Sequence, residues 1–390
     1  IGIRVIAGGA IGYSSSNDPL KYEESVKAAI ACAKARGKDP FLMGGFPRAK
    51  PYKPVTGIYD ERIEKIDLGE CLNITDSIIA EAKKDPGLSV TMGKFSSNVS
   101  ETTILNSNGV EASEKETSTF AFMDVIIKED GKVSTGFDYD VSRNFDIDFL
   151  KIGASAASLA RNSLNAVPIE SQICDVLLGP YAFSELVEST LLYSVTAESV
   201  QKGRSGLADK LGKQIASTKL TMIDDGLMDK GLGTSSFDDE GTPCGQTAII
   251  SDGILESFLY DCYTAGKDKR ESTGNAVRGS YTMSPKVGPH NVRLVYPRSD
   301  VFAETKDGMY VNSLIGAHTA NPITGDFSVE CRNSFIVKDG QKTSPIKSMM
   351  LSGNIFEFLN KLDGMGRDDR MVGVVISPTV KVKDVRVTSS

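Results

Sequence analysis

Two histidines, six cysteines and a few close-set carboxylates are the side chains of this sequence most able to do chemistry. A helical zinc site needs two imidazoles about one turn apart, and neither His290 nor His318 has a neighbour that supplies the second. A histidine-rich metal site is excluded on that ground. His290 follows Gly288 and Pro289, and His318 sits between Ala317 and Thr319, so both read as exposed or hydrogen-bonded loop residues. A thiol such as Cys331 or Cys244 beside His318 would make a nucleophile and its base. The sequence gives no geometry for such a pair.

The remaining patterns are weaker. Gly231–Ser236 and Lys202–Gly206 are rich in small residues but lack the Gly-x-x-x-x-Gly-Lys-Ser/Thr order of a phosphate-binding loop, and read as loops. Asp238, Asp239 and Glu240 could hold a hard cation. Followed by Gly241-Thr242-Pro243, they are more simply a turn in which a carboxylate caps backbone N–H groups. Ser184, Glu185 and Glu188 share a helical pattern bounded by apolar residues, and alone would be a solvated face.

The elements that must position these residues follow from hydrophobic periodicity and turn chemistry. A hairpin is expected over Ile3–Tyr13, and a helix after Asp18-Pro19 that Gly37 ends. Residues 40–58 carry several Pro and Gly and should run over the surface. A second helix through Ile74, Ile78, Ile79 and Ala82 stops at Asp85-Pro86-Gly87. An antiparallel meander from Leu88 to Tyr139 turns at Asn108-Gly109 and Asp130-Gly131. A small-residue helix over about 148–164 carries Leu150, Ala154, Ala157 and Ala160 toward one side.

The second half opens with a strand over Ile173–Leu178 and a helix after Gly179-Pro180 containing Phe183, Leu186, Val187 and Leu191. Hairpins are expected at Asp252-Gly253, Asp307-Gly308 and Asp339-Gly340, then a helix over Asn354–Leu362 and closing strands over Val372–Val387. Strand runs with segregated helices predict an α+β fold. Its 390 residues suggest two domains. The first is an N-terminal α+β domain with an antiparallel sheet, residues 1–167; the second, residues 168–390, is rich in antiparallel hairpins with a few helices.

Composition narrows the classes. Hydrophobic residues at 40% and charged residues at 24% fit a soluble globular chain. No apolar run approaches the roughly 18 residues of a membrane helix. The 44 Lys and Arg against 51 Asp and Glu give a net charge of −7 with no dense basic block, which disfavours direct nucleic-acid binding. Six cysteines without a Cys-x-x-Cys pair read as free thiols in a reducing compartment, and a cytoplasmic location is expected. The chain begins at Ile1, within a strand pattern and without Met, so we expect residues to precede it.

Several segments in order resemble the TldD/PmbA family, also known as modulators of DNA gyrase. They are Gly2–Val5, Val200–Ser205, Ala208–Gly212, Asp238–Pro243, Tyr260–Lys267, Ser272–Ala276, Leu314–Gly316, Ile323–Ser328, Ser352–Asn354 and Gly366–Asp369. Members of the TldD type look like zinc peptidases, with a helical His-Glu-x-x-x-His and a cysteine near the C-terminus. The matching helix here is Ser184–Ser189, with serine at both imidazole positions and only Glu185 retained. The stretch after Asp369 contains no thiol.

The resemblance therefore implies a metal-free, PmbA/TldE-like member without a cofactor of its own, and hence no catalytic residues at the degenerate positions Ser184, Glu185 and Ser189. Its implied partner is a TldD-like zinc metallopeptidase subunit in a heterodimer that encloses unfolded peptide; a homodimer is the alternative assembly. Two other functions stay open: a stand-alone hydrolase using Cys331 with His318 or using Glu185, and a regulatory binding protein acting on a gyrase-related partner.

Overall fold

The computed structural model describes residues 1–42 and 45–389. Its first element is the hairpin β1 (Gly2–Ala7) and β2 (Ala10–Ser15), covered by a helix over Tyr22–Arg36 whose Ala29 and Ala33 are fully buried. Asp18 opens the turn before that helix by accepting from the Leu20 N–H. Residues 45–58 contain no regular element and cross the surface toward the later part of the chain.

The next layer is a three-stranded antiparallel sheet of β3 (Leu88–Leu105), β4 (Glu111–Glu129) and β5 (Lys132–Ser142), in the order β3-β4-β5. β4 alternates buried and half-buried residues along its second half, as a strand with one face on a core must. Helices Leu68–Ala82 and Phe149–Asn162 pack on that face and enclose a core that includes Ile78, Met123, Ile127 and Ile152. The Phe149–Asn162 helix does not present the stripe its sequence suggested. Leu150 and Ala154 are exposed, while Ile152, Gly153, Ala156, Ala157 and Ala160 face inward. The reason is close approach: a Cβ at Gly136 of β5 would lie 2.2 Å from the Ala156 carbonyl oxygen. Small residues, not the larger Leu150, fit that contact.

The second half holds two larger sheets around one extensive core. One includes β6 (Gln172–Leu178), β13 (Asp307–Ile315), β14 (Asp326–Lys338), β15 (Gln341–Pro345), β16 (Met350–Asn354), β17 (Leu362–Met365) and β20 (Val380–Thr388). Its order is β13-β6-β20-β16-β14-β15, with β17 on β20, and β13 also pairs with β14. That extra pairing closes β13, β6, β20, β16 and β14 into a small ring. The β6–β13 pair is parallel.

The other sheet contains β7 (Thr221–Asp225), β8 (Gln246–Ser251), β9 (Ile254–Leu255), β12 (Val292–Val295), β18 (Arg370–Val372) and β19 (Val375–Ser377), ordered β18-β19-β12-β7-β8-β9. A two-stranded ribbon of β10 (Ala276–Val277) and β11 (Lys286–Val287) lies apart.

These elements make a mixed α+β fold. Turns form at Asp130-Gly131, Asp252-Gly253 and Asp339-Gly340, with both residues of each at positive φ. Asp307-Gly308 instead begins β13, opposite Lys338 and Val337. Gly308 is needed there for contact, since a Cβ would meet the Asp175 carbonyl oxygen of β6 at 2.6 Å. Among the described residues no helix is long and apolar enough to cross a membrane.

Candidate functional site

The parallel strand β6 runs through Gly179 into a helix that opens with Pro180, a residue suited to the first helical turn because its missing N–H would have no partner there. The helix continues over Pro180–Leu186 and then widens into a π segment, Val187–Leu191, where the Leu192 N–H reaches back to the Val187 carbonyl. Such inserted turns are frequent at functional positions.

Ser184 is fully buried and its hydroxyl has no hydrogen-bond partner. Glu185 Oε2 accepts the Leu314 N–H at 3.0 Å, and burial raises this carboxyl to about 7 against the effect of that bond. Glu188 Oε1 accepts the Val374 N–H at 3.0 Å. Gly373, at φ +56°, lies so close that a Cβ there would come within 2.0 Å of the same oxygen. Ser189 is half-buried.

The segment after Gly366 therefore lies across this helix and contains no cysteine. It is held by Asp368, which accepts the Thr379 N–H and hydroxyl at 2.9 and 2.6 Å, and by Arg370, which pairs with Asp138 at 2.8 Å. Tyr181, in the first turn of the helix, donates to the same Asp138 carboxylate at 2.6 Å.

Zinc takes imidazole, thiolate or carboxylate ligands. Two hydroxyls, one of them sealed in the core, and a carboxylate already bonded to a backbone N–H do not fit that ion. Among the described residues no group of three or more His, Cys, Asp or Glu side chains is placed to hold a metal.

The thiol and imidazole candidates are sorted differently from the sequence expectation. His318 is exposed in a short 3-10 turn, and Cys331 lies in β14 opposite Leu314, its thiol pushed up by burial. The imidazole that meets a thiol is His290, with Nε2 3.3 Å from Cys244 Sγ. His290 Nδ1 lies 3.3 Å from Asp224 Oδ2, and the His290 backbone N–H donates to Asp224 Oδ1 at 2.7 Å. Asn275 Nδ2 donates to Asp224 Oδ2 at 2.6 Å.

This is the connectivity of a thiol, an imidazole and an orienting carboxylate. All four residues are buried, however, and burial together with Asp238 and Glu114 pushes the Cys244 thiol well above its ordinary value. A protonated, enclosed thiol is a packing and hydrogen-bonding group, not a nucleophile. Asp224 and Asn275 were missed from sequence. The available signal was an Asp-Asp pair ending a strand that is otherwise apolar.

The acidic trio is the expected turn. Asp238 Oδ1 accepts the Glu240 and Thr242 N–H groups at 3.0 and 2.8 Å, and Oδ2 accepts that of Ala276 at 3.0 Å. Burial, then the charge of Glu240, raise Asp238 to about 7. Glu240 is itself paired with Arg4 of β1 at 2.6 Å, which ties the first hairpin to this turn.

Models of the PmbA/TldA metallopeptidases match most of the chain: domain 1 over residues 1–36, the central domain over 61–164 and the C-terminal domain over 171–389. An uncharacterized protein of Methanocaldococcus jannaschii is 34% identical over 385 residues, spanning 98% of this chain and 88% of that protein. A metalloprotease of Methanothermobacter thermautotrophicus is 27% identical, spanning 95% and 82%. The crystal structure of TldE from Thermococcus kodakarensis superposes with a TM-score of 0.92 at 25% identity, covering 99% of this chain and 89% of that one.

Proposed function

Because the chain belongs to the PmbA/TldD metallopeptidase family, we propose that it is a metal-free subunit that pairs with a TldD-type zinc chain and helps enclose unfolded peptides for cleavage. The observation that carries this reading is the donor set of the Ser184–Ser189 helix. Hydroxyls stand where the zinc-binding members have imidazoles, Ser184 is sealed in the core, and Glu185 is spent on the Leu314 N–H. A general base must reach a metal-bound water. A carboxylate held to the backbone beside two hydroxyls lacks the imidazole, thiolate or carboxylate set that would hold the ion.

In this reading the partner supplies the metal and this chain supplies part of the wall, its two halves meeting near Val167. The cytoplasm is the proposed location, where unfolded chains are available and thiols stay reduced. Metal analysis and a peptidase assay of the purified chain, with and without a TldD-type partner, test it. The chain alone should bind no stoichiometric zinc and cleave nothing, and cleavage should appear with the partner. Stoichiometric zinc with cleavage by the chain alone overturns the reading.

A further inference from the structure

Beside the π segment runs an open groove of about 550 Å³, within the size range of sites that hold small ligands. Leu192, Tyr193, Val287, Pro289 and Val374 line it, giving an apolar floor. Tyr193 keeps 37% of its surface exposed there. Lys202, Arg204 and Lys286 line the same groove, as do Glu188 and Glu198.

The charges are not equally committed. Glu198 is paired with Lys202 one helical turn away, and Glu188 accepts the Val374 N–H. Arg204 and Lys286 have no ion-pair partner among the described residues, and both are exposed. With Lys202, Arg204 and Lys286 against Glu188 and Glu198, the groove keeps a positive excess in a chain of net charge −7, and its two unpaired cations over an apolar floor make it locally complementary to an anion.

We propose that this groove takes an extended peptide segment in which an apolar side chain is flanked by acidic ones. The apolar side chain packs on Leu192, Tyr193 and Val374, and the flanking carboxylates meet Arg204 and Lys286. The inference rests on the peptide-enclosing reading above and gives it a substrate class.

The test is fluorescence anisotropy with the full chain and two labelled unstructured peptides, one bearing Glu-Leu-Glu and the other Gln-Leu-Gln at the same place. The Glu peptide should bind about fivefold to tenfold more tightly at low salt, as two exposed charge pairs allow, and lose that advantage at high salt. The double substitution Arg204→Ala/Lys286→Ala should erase the difference without weakening the Gln peptide, and Tyr193→Ala should weaken both. Arg204 and Lys286 are exposed, so thermal melts of the double variant should match the parent.

Three results overturn the proposal: neither peptide binding, equal binding of the two, or a preference that survives the double substitution. A single-stranded oligonucleotide that displaces the Glu peptide at equal concentration overturns it as well. Failure here is distinguishable from failure of the partner reading. A chain that supports cleavage of both peptides equally beside a zinc partner removes the acidic preference and leaves the partnership. Zinc-dependent cleavage by the chain alone removes the partnership, whatever the groove prefers.

Discussion

Cys244 Sγ and His290 Nε2 face each other across 3.3 Å in the interior, with Asp224 on the far side of the ring. The arrangement has a nucleophile's connectivity without a nucleophile's exposure, and its chemistry is decided by burial.

Thiol reactivity should therefore follow exposure. Under native conditions iodoacetamide should modify exposed Cys32 first and leave Cys244 and Cys331 untouched until the chain is denatured. Peptide mapping by mass spectrometry reads the order. Labelling of Cys244 as fast as Cys32 would return the stand-alone thiol hydrolase to consideration, with His290 as its base.

Removing Asp224 should be costly. Asp224→Ala strips the acceptor from the buried His290 backbone N–H and from one of the two amide hydrogens of buried Asn275, whose Nδ2 keeps the Gly288 carbonyl. Each orphaned donor carries a desolvation penalty of about 1–3 kcal/mol, so a loss of roughly 2–5 kcal/mol is expected. Urea unfolding measures it. A change under about 0.5 kcal/mol would mean that these donors find other acceptors.

Stability should fall as pH rises from weakly acid to neutral through the Asp238 turn. Its carboxyl is raised to about 7 in the fold, above its ordinary value of 3.8, so the unfolded chain gives up this proton first. The group favours the folded state most when protonated, and that contribution is lost between about pH 4 and pH 7. Glu240→Gln removes the neighbouring charge and should flatten the slope, even though loss of the Arg4 pair lowers stability overall. A series of urea midpoints against pH in both proteins decides it; identical slopes would refute the assignment.

Gly136→Ala tests the packing of the central layer. The added methyl would sit 2.2 Å from the Ala156 carbonyl oxygen, so the Phe149–Asn162 helix must move off β5. A loss of about 1–3 kcal/mol is expected from overpacking. Alanine at exposed Ala154 is already tolerated on the opposite side of the helix, and Ala154→Ser should leave the thermal midpoint unchanged.

Much of the architecture is legible in the sequence. Positive-φ dipeptides such as Asp130-Gly131 fix hairpins locally, and Asp18 and Asp148 announce helix starts because a side-chain oxygen can replace the missing backbone acceptor. Non-local facts were not readable. Gly308 resembles a turn residue, yet its role is set by a strand more than a hundred residues earlier in the chain. Leu150 resembles a core residue, yet the helix is oriented by how closely Gly136 and Gly153 let backbones approach.

The site shows the same division. The serines at 184 and 189, and the absence of a second histidine near either imidazole, are read directly from the sequence. The meeting of Cys244, His290 and Asp224 joins two loops and a strand end that no spacing rule connects. Nor does periodicity foresee the π segment, which depends on one reset of the hydrogen-bond ladder at Val187.

The ring formed by β6, β13, β14, β16 and β20 also sets a timetable. β20 is synthesised after its four companions yet lies between β6 and β16, so the barrel stays open until Val387 can pair with Gln172. During translation β6 must wait, with its neighbouring apolar residues uncovered, for a stave that begins only at Val380. A premature stop within β20 would thus remove a central stave and not a dispensable tail, and newly made chains would be most in need of chaperone protection during that interval.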